Sequence, residues 1–342
     1  MFGVGAHIGP YELIAELGKG GMATLFLALQ TGLGGFSRHV AIKVIHPEIA
    51  SDPEIIKMFL DEARLGGSIR HPNVARVEAI DEHQGSPYLV MEYISGATLT
   101  QILRDHVRSG APLPLDQIVA IAAAVADALH AAHESTDELG NPLGIVHRDV
   151  SPSNVLIDTH GQVKLIDFGV AKARKRLAKT QPGSVKGKLA YMAPEQLAGR
   201  DLDRRVDVFA LGVVLWEMLT LRRLFHAQTD IETIMKIRDE APVVPPSAFR
   251  PEVPPRLDDV VATMLARDLE ERFSTTAAAR YAMLVTCPSA ALVSSGALAQ
   301  LAAAHAGAPS REEPTSPEPT RETAERTRSD STVPARPVSK AN

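Results

Sequence analysis

The sequence predicts an α+β fold in two lobes, a small one of five strands and one helix and a larger, mainly helical one. Three observations lead there. Short apolar runs rich in β-branched residues, broken by a glycine-rich turn, fill the first part of the chain. After Gly96 the pattern changes to long Ala- and Leu-rich helical stretches. The length, 342 residues with 45% hydrophobic and 23% charged, is enough to bury a sizeable core.

Tyr11 to Leu17 and Leu25 to Leu29 read as strands either side of Gly18-Lys19-Gly20-Gly21, and Val40 to Ile45 as a third. Pro53 to Ile69 has helical periodicity, with Ile55, Ile56, Phe59, Leu60, Ala63 and Leu65 available for one face. Val74 to Ile80 and Tyr88 to Glu92 complete the strands. Leu115 to His133 and Val206 to Thr220 are apolar nearly all round, as buried helices are. Ile231 to Asp239 and Leu257 to Ala266 read as further helices, and the six prolines from Pro242 to Pro255 confine the stretch between them to loop. Thr159 to Gln162 reads as a hairpin tip. The expected boundaries are a lead-in over 1–10, a first lobe over 11–94 and a second over 95–306, ending in an appended helix. Residues 307–342, rich in Pro, Ser, Thr, Glu and Arg, are expected to be disordered, because burial there cannot offset the entropy of ordering.

A net charge of -5 argues against nucleic acid or an anionic membrane as the main partner. Cys287 is the single cysteine, which excludes a disulfide within the chain and points to a reducing cytoplasm. Met1 to Pro10 lacks a secretory pattern. Ala290 to Ala306 is too short and too polar for a membrane span, which needs roughly 20 apolar residues.

The chemistry concentrates in His147-Arg148-Asp149-Val150-Ser151-Pro152-Ser153-Asn154 and in Asp167-Phe168-Gly169. Asp149 can orient a hydroxyl and accept its proton. Asn154 and Asp167 offer hard oxygens suited to Mg²⁺, or to Mn²⁺ in its place. Leu17, the loop Gly18, Lys19, Gly20, Gly21, Met22 and Ala23, and Leu25 can fold over a polyphosphate with backbone N–H groups facing it. Lys43 lies on a strand, and Glu62 on the following helix can aim its ammonium at phosphates. Together these are the parts of phosphoryl transfer from a nucleotide.

These signatures, in order from Tyr11 to Phe273, resemble bacterial protein kinases of the eukaryotic-like serine/threonine type. The resemblance implies the bilobal kinase fold with an antiparallel sheet in the first lobe. It implies Met91 behind the adenine of ATP, the backbone of Glu92, Tyr93 and Ile94 as the hinge, and Ala41 and Leu156 on the ring faces. It also implies scaffold roles for Glu195 with Arg272 and for Asp207. The implied activity is ATP-dependent phosphorylation of serine and threonine hydroxyls on protein substrates, with autophosphorylation. The alternative is a catalytically weak pseudokinase serving as a nucleotide-binding scaffold.

The family pattern breaks at two places. Ser151 stands where such kinases carry lysine, and Lys188 follows Gly187 where they carry threonine. One expectation is an exchange, with Lys188 reaching the γ-phosphate and Asp149 while Ser151 accepts its hydrogen bond; the other has Lys188 in solvent. Tyrosine kinases also lack that lysine, but neither Ser151 nor Ser153 is their usual arginine. Arg148 suggests control by a phosphate at Thr180 or Ser184, within a segment made basic by Lys172, Arg174, Lys175, Arg176, Lys179 and Lys186. No sensor region is evident in the sequence, so a regulatory partner protein is expected.

Overall fold

The computed structural model describes residues 2–168 and 187–306. They fall within the unit Met1–Ser310; a second unit, Arg311–Asn342, lies outside them, as does the stretch expected to be disordered. Strands His7–Ile8 (β1), Tyr11–Lys19 (β2), Ala23–Thr31 (β3), Ser37–Ile45 (β4), Val77–His83 (β5) and Ser86–Glu92 (β6) form an antiparallel sheet of order β1-β2-β3-β4-β6-β5. Along β2, Tyr11 and Leu13 are buried and Glu12 and Ile14 exposed, the two-residue period of a half-buried strand.

The sheet has one strand more than expected. Ile8, fully buried against Tyr11 and Leu13, draws part of the lead-in onto the sheet edge as β1. The strand expected from Val74 begins instead at Val77, because the preceding residues are held by the other lobe. Leu165 donates its N–H to the Asn73 carbonyl at 2.8 Å, and Ala75 donates to the Leu165 carbonyl at 3.0 Å. The Asn73 amide adds a bond to the Val163 carbonyl at 2.8 Å.

Helix Pro53–Ser68 (α1) starts at Asp52, whose side chain accepts the Glu54 N–H, with Pro53 in the first turn. It lays Phe59 and Ala63 against Ile45 and Leu89 of the sheet.

Gly96–Thr98 (β7), Val155–Asp158 (β8) and Val163–Leu165 (β9) make a three-stranded sheet in the second lobe. The tip between β8 and β9 falls where the sequence places it, held by the Asp158 carboxylate on the N–H groups of His160 and Gln162. The described helices of this lobe are Leu99–Ser109 (α2), Leu115–His133 (α3), Pro194–Ala198 (α4), Arg205–Thr220 (α5), Asp230–Arg238 (α6), Pro255–Met264 (α7), Thr276–Thr286 (α8) and Ser295–His305 (α9). Among the described residues α3 alone is long and apolar enough to cross a membrane. Its Ile118, Ile121, Val125 and Leu129 are instead buried in the same core as Phe209, Val213 and Leu215 of α5. α2, which the apolar pattern does not single out, begins with a reciprocal Thr98–Gln101 cap and ends at Gly110 in the left-handed region.

The appended helix α9 is seated by one glycine. Gly161, at φ +80° in the β8–β9 tip, lies so close that a Cβ would sit 1.8 Å from the Ser295 carbonyl oxygen. The far end of α9 returns to α2, where His305 Nδ1 meets Asp105 Oδ2 at 3.1 Å. Gly161→Ala is therefore expected to unseat α9, lowering stability by about 2 kcal/mol or more. Hydrogen exchange should speed up over residues 295–305 and not in α3.

Candidate functional site

The site is built on one buried carboxylate. Asp207, in the first turn of α5, is fully buried. Its Oδ2 accepts the His147 N–H at 2.8 Å and its Oδ1 the Arg148 N–H at 2.7 Å. His133 Nε2, from α3, meets Oδ2 at 2.8 Å. Burial pushes this carboxyl's pKa up, but the hydrogen bond from His133 and the Arg148 N–H help outweigh it, so the net shift is downward.

Arg148 is pinned on its other side too, since Gln196 donates to its carbonyl at 3.0 Å. That clamp holds Arg148 at φ +66°, in the left-handed region that residues with a Cβ seldom adopt. Asp167 is held similarly, at φ +63°. Such conformations cost about 1–3 kcal/mol each and persist where surrounding bonds over-determine them.

With the loop fixed, its side chains are organised in turn. Asn154 donates its amide to the Asp149 carbonyl at 2.7 Å and to Asp149 Oδ2 at 2.9 Å. The Ile166 N–H donates to the Asn154 carbonyl at 3.0 Å, which brings Asp167 beside the loop. His147 accepts the Asp149 N–H at Nδ1 and so donates from Nε2 to the Ile166 carbonyl at 3.0 Å. Its ring also meets Phe168 edge-on at 4.6 Å.

Lys43 of β4 completes the centre from the other lobe. Its Nζ lies 2.6 Å from Glu62 Oε1 of α1 and 3.2 Å from Asp167 Oδ1. Burial alone would favour the neutral amine, but Asp167 and Glu62 outweigh it and raise the pKa. Lys188 reaches Asp149 Oδ2 at 2.7 Å and stands 3.4 Å from Asn154 Oδ1. It is therefore not directed into solvent. Ser151, also buried, does not take its bond: the Ser151 hydroxyl is paired with that of Ser153 at 3.0 Å.

Beside these groups is a cavity of about 350 Å³, walled by Leu17, Leu25 and Ala41 from the sheet and by Leu156 and Ile166 from the second lobe. Met91, Glu92 and Ile94 line the chain crossing between the lobes, and Asp167 and Glu62 also face the cavity. The glycine-rich residues are not part of this wall. Gly18 and Lys19 end β2, Gly20 and Gly21 form the turn with Met22, and Ala23 opens β3; the Gly20 N–H bonds the Ala23 carbonyl at 2.9 Å. Met22 and Ala23 point into the lobe and are buried.

The wall also includes Phe168 of the second signature, and Val77, Leu89 and Ala306, which motif reading does not reach. Val77 and Leu89 are ordinary sheet residues in sequence, and Ala306 arrives only through the docking of α9. Glu92 has a second role, in an ion pair with Lys164 at 2.8 Å. Thr180, Ser184 and the basic residues from Lys172 to Lys186 lie outside the described residues.

Two features fit a nucleotide with a divalent metal. The donor set is an amide oxygen and a carboxylate, and Mg²⁺ commonly binds through one or two such protein groups together with substrate phosphates and water. Among the described residues no cluster of three or more His, Cys, Asp or Glu could hold a metal by itself. The cavity has apolar walls from Leu17, Leu25, Ala41, Leu156 and Ile166, and the carboxylates of Glu62 and Asp167 face it. The segment bearing Lys188 is anchored separately: Arg272 forms a buried ion pair with Glu195 at 2.7 Å, and the Tyr191 hydroxyl donates to Glu217 at 2.8 Å.

Comparison with known proteins bears on the family and the fold. The model of the protein kinase domain family matches residues 11–283. Tyrosine-protein kinase MasK of Myxococcus xanthus is 42% identical over 270 residues, covering 79% of this chain and 42% of that protein. Serine/threonine-protein kinase Pkn1 of the same species is 36% identical over 287 residues, covering 82% and 39%. Serine/threonine-protein kinase PknB of Mycobacterium leprae is 37% identical over 275 residues, covering 79% and 42%. The chain thus spans about two fifths of the length of these curated relatives. The solved kinase domain of Mycobacterium tuberculosis PknI is 29% identical, with a TM-score of 0.64, over 84% of this chain and 100% of that one.

Asp207→Asn should destabilise the protein by about 3 kcal/mol at neutral pH, because a buried N–H of the loop loses its acceptor. Its folded pKa lies below the ordinary 3.8, so its stabilising effect is complete above about pH 4 and fades as pH falls through the folded value. Urea denaturation should therefore show the gap between wild type and Asp207→Asn narrowing below pH 4.

Proposed function

The chain belongs to the protein kinase domain family, and on that premise we propose that it transfers the γ-phosphoryl group of ATP to serine and threonine hydroxyls of protein substrates. The observation that carries this reading is the charged chain Glu62–Lys43–Asp167, whose two carboxylates face the cavity, together with the hydrogen-bonded Asp149–Asn154 pair of the loop before Asp167. Lys43, charged and fixed from both sides, orients the phosphates. Asp149 orients the substrate hydroxyl and takes its proton within hydrogen-bond reach. Asn154 and Asp167 hold the Mg²⁺, or Mn²⁺, which when bound neutralises charge on the phosphate oxygens. Leu17, Leu25, Ala41 and Leu156 enclose the base, the backbone of Glu92 and Ile94 beside Met91 binds its edge, and the turn from Gly18 to Ala23 covers the phosphates. Most of the rate then comes from positioning and preorganised charge.

The retention of Lys43, Asp149 and Asp167 argues against a pure scaffold. The names of the relatives divide, with MasK named a tyrosine kinase and Pkn1 and PknB serine/threonine kinases. Ser151 and Ser153, where arginine would favour tyrosine, support the serine/threonine reading. We place the activity in bacterial cytoplasmic signalling, with autophosphorylation and control by a partner protein. A buried Arg148 Nε without a hydrogen-bond partner is consistent with a phosphate arriving from the segment that contains Thr180 and Ser184.

An ATP/Mg²⁺ assay with phosphosite mapping tests this. Phosphoserine and phosphothreonine are expected, some of it within residues 169–186, and Asp149→Asn should lower kcat by about 10²–10⁴-fold. Phosphotyrosine alone would assign the other specificity. No transfer by wild type with either metal would leave the scaffold.

A further inference from the structure

We propose that Lys188 supplies the positive charge for the transferred phosphoryl group, so that the activation segment, not the catalytic loop, carries this cation. The inference rests on the phosphoryl-transfer reading above and adds a residue and a means of control to it.

The argument begins with charge. Three carboxylates surround the transfer path: Glu62, Asp167 and Asp149. Lys43 lies on the first two, at 2.6 and 3.2 Å. An anionic phosphoryl group moving toward a hydroxyl held by Asp149 meets a carboxylate of its own sign. At that end the described cation within reach is Lys188, 2.7 Å from Asp149 Oδ2 and with only 22% of its side chain exposed. Its distance of 3.4 Å from Asn154 Oδ1 puts it on the face of the loop that carries the metal-binding amide. Position 151 cannot serve, since it is a serine whose hydroxyl is occupied by Ser153. The exchange expected from sequence is thus changed in one respect: the cation has moved, and Ser151 does not hold it.

The origin of Lys188 has a consequence. The 3₁₀ turn Leu189–Tyr191 follows it directly, with the Tyr191 N–H on the Lys188 carbonyl at 3.2 Å. The Tyr191 hydroxyl is tied to Glu217 and receives Arg223 Nη1 at 2.7 Å. Seating of this segment and delivery of the cation are therefore one event. A chain whose segment is unseated would hold Lys43, Asp149 and Asp167 and lack the Lys188 ammonium beside Asp149.

The full chain and its Lys188→Met and Lys188→Arg variants should be compared for kcat and for affinity toward ATP and ADP with Mg²⁺, with thermal melting as the control for folding. Lys188→Met is expected to lose about 10²–10³-fold in kcat. ATP affinity should fall while ADP affinity stays level, and Lys188→Arg should recover at least tenfold. A purely structural lysine would not discriminate between ATP and ADP. Full activity of Lys188→Met, or equal loss of both affinities, overturns the inference. A folded Ser151→Lys/Lys188→Thr double variant that regains activity over Lys188→Thr supports it, and a folded one that does not counts against it. Should wild type itself transfer nothing, the phosphoryl-transfer reading fails; should wild type be active and Lys188→Met match it, only the role of Lys188 fails.

Discussion

The site depends on burying Asp207. A carboxylate without water is costly unless its oxygens are hydrogen-bonded, and here two backbone N–H groups and one imidazole bond them. In return the carboxylate fixes two successive residues of an irregular loop, one of them in a left-handed conformation. From there peptide links and hydrogen bonds alternate outward. Arg148 leads to Asp149, Asp149 to Asn154, Asn154 to Ile166, and Asp167 to Lys43 and Glu62 on the far lobe. A core helix is thereby linked to the sheet through groups that also carry the chemistry.

The arrangement is electrostatic more than covalent. Among the described residues of the site, no cysteine or hydroxyl nucleophile is set up against a histidine. What the site offers instead is fixed charge beside an apolar cavity, where water does little to weaken it. Lys43 is kept charged by two carboxylates despite its burial. Lys188 stands at the other end, 2.7 Å from Asp149, borne on a segment anchored through Tyr191, Glu217, Glu195 and Arg272. Under the role proposed for Lys188, such a division would let one lobe hold the nucleotide while the seating of a separate segment brings a cation to the acceptor end.

Much of this was legible in the sequence, and the exceptions have physical reasons. Lys43 and Glu62 could be paired because β-branched neighbours mark a strand and Phe59 and Ala63 mark the buried face of a helix. Asp207, Glu195 and Arg272 came only from family resemblance, since nothing local distinguishes them from surface charges. Gln196 on the Arg148 carbonyl and His133 on Asp207 were not legible, being contacts between distant segments. Strand β5 starts late because Asn73 and Ala75 answer to β9, a tertiary preference that overrides a good local pattern. β1, with two residues, is too short to show a period. Residue 188 was conspicuous only as a departure from pattern, and sequence alone left its direction open.

The most direct measurement is a crystal structure of the chain with Mg²⁺ and a non-hydrolysable ATP analogue. The account predicts the base between Ala41 and Leu156, metal on Asn154 and Asp167, Lys43 on the inner phosphates and Lys188 Nζ on the γ-phosphate. Metal bound away from Asn154 and Asp167, or nucleotide outside this cavity, would contradict it.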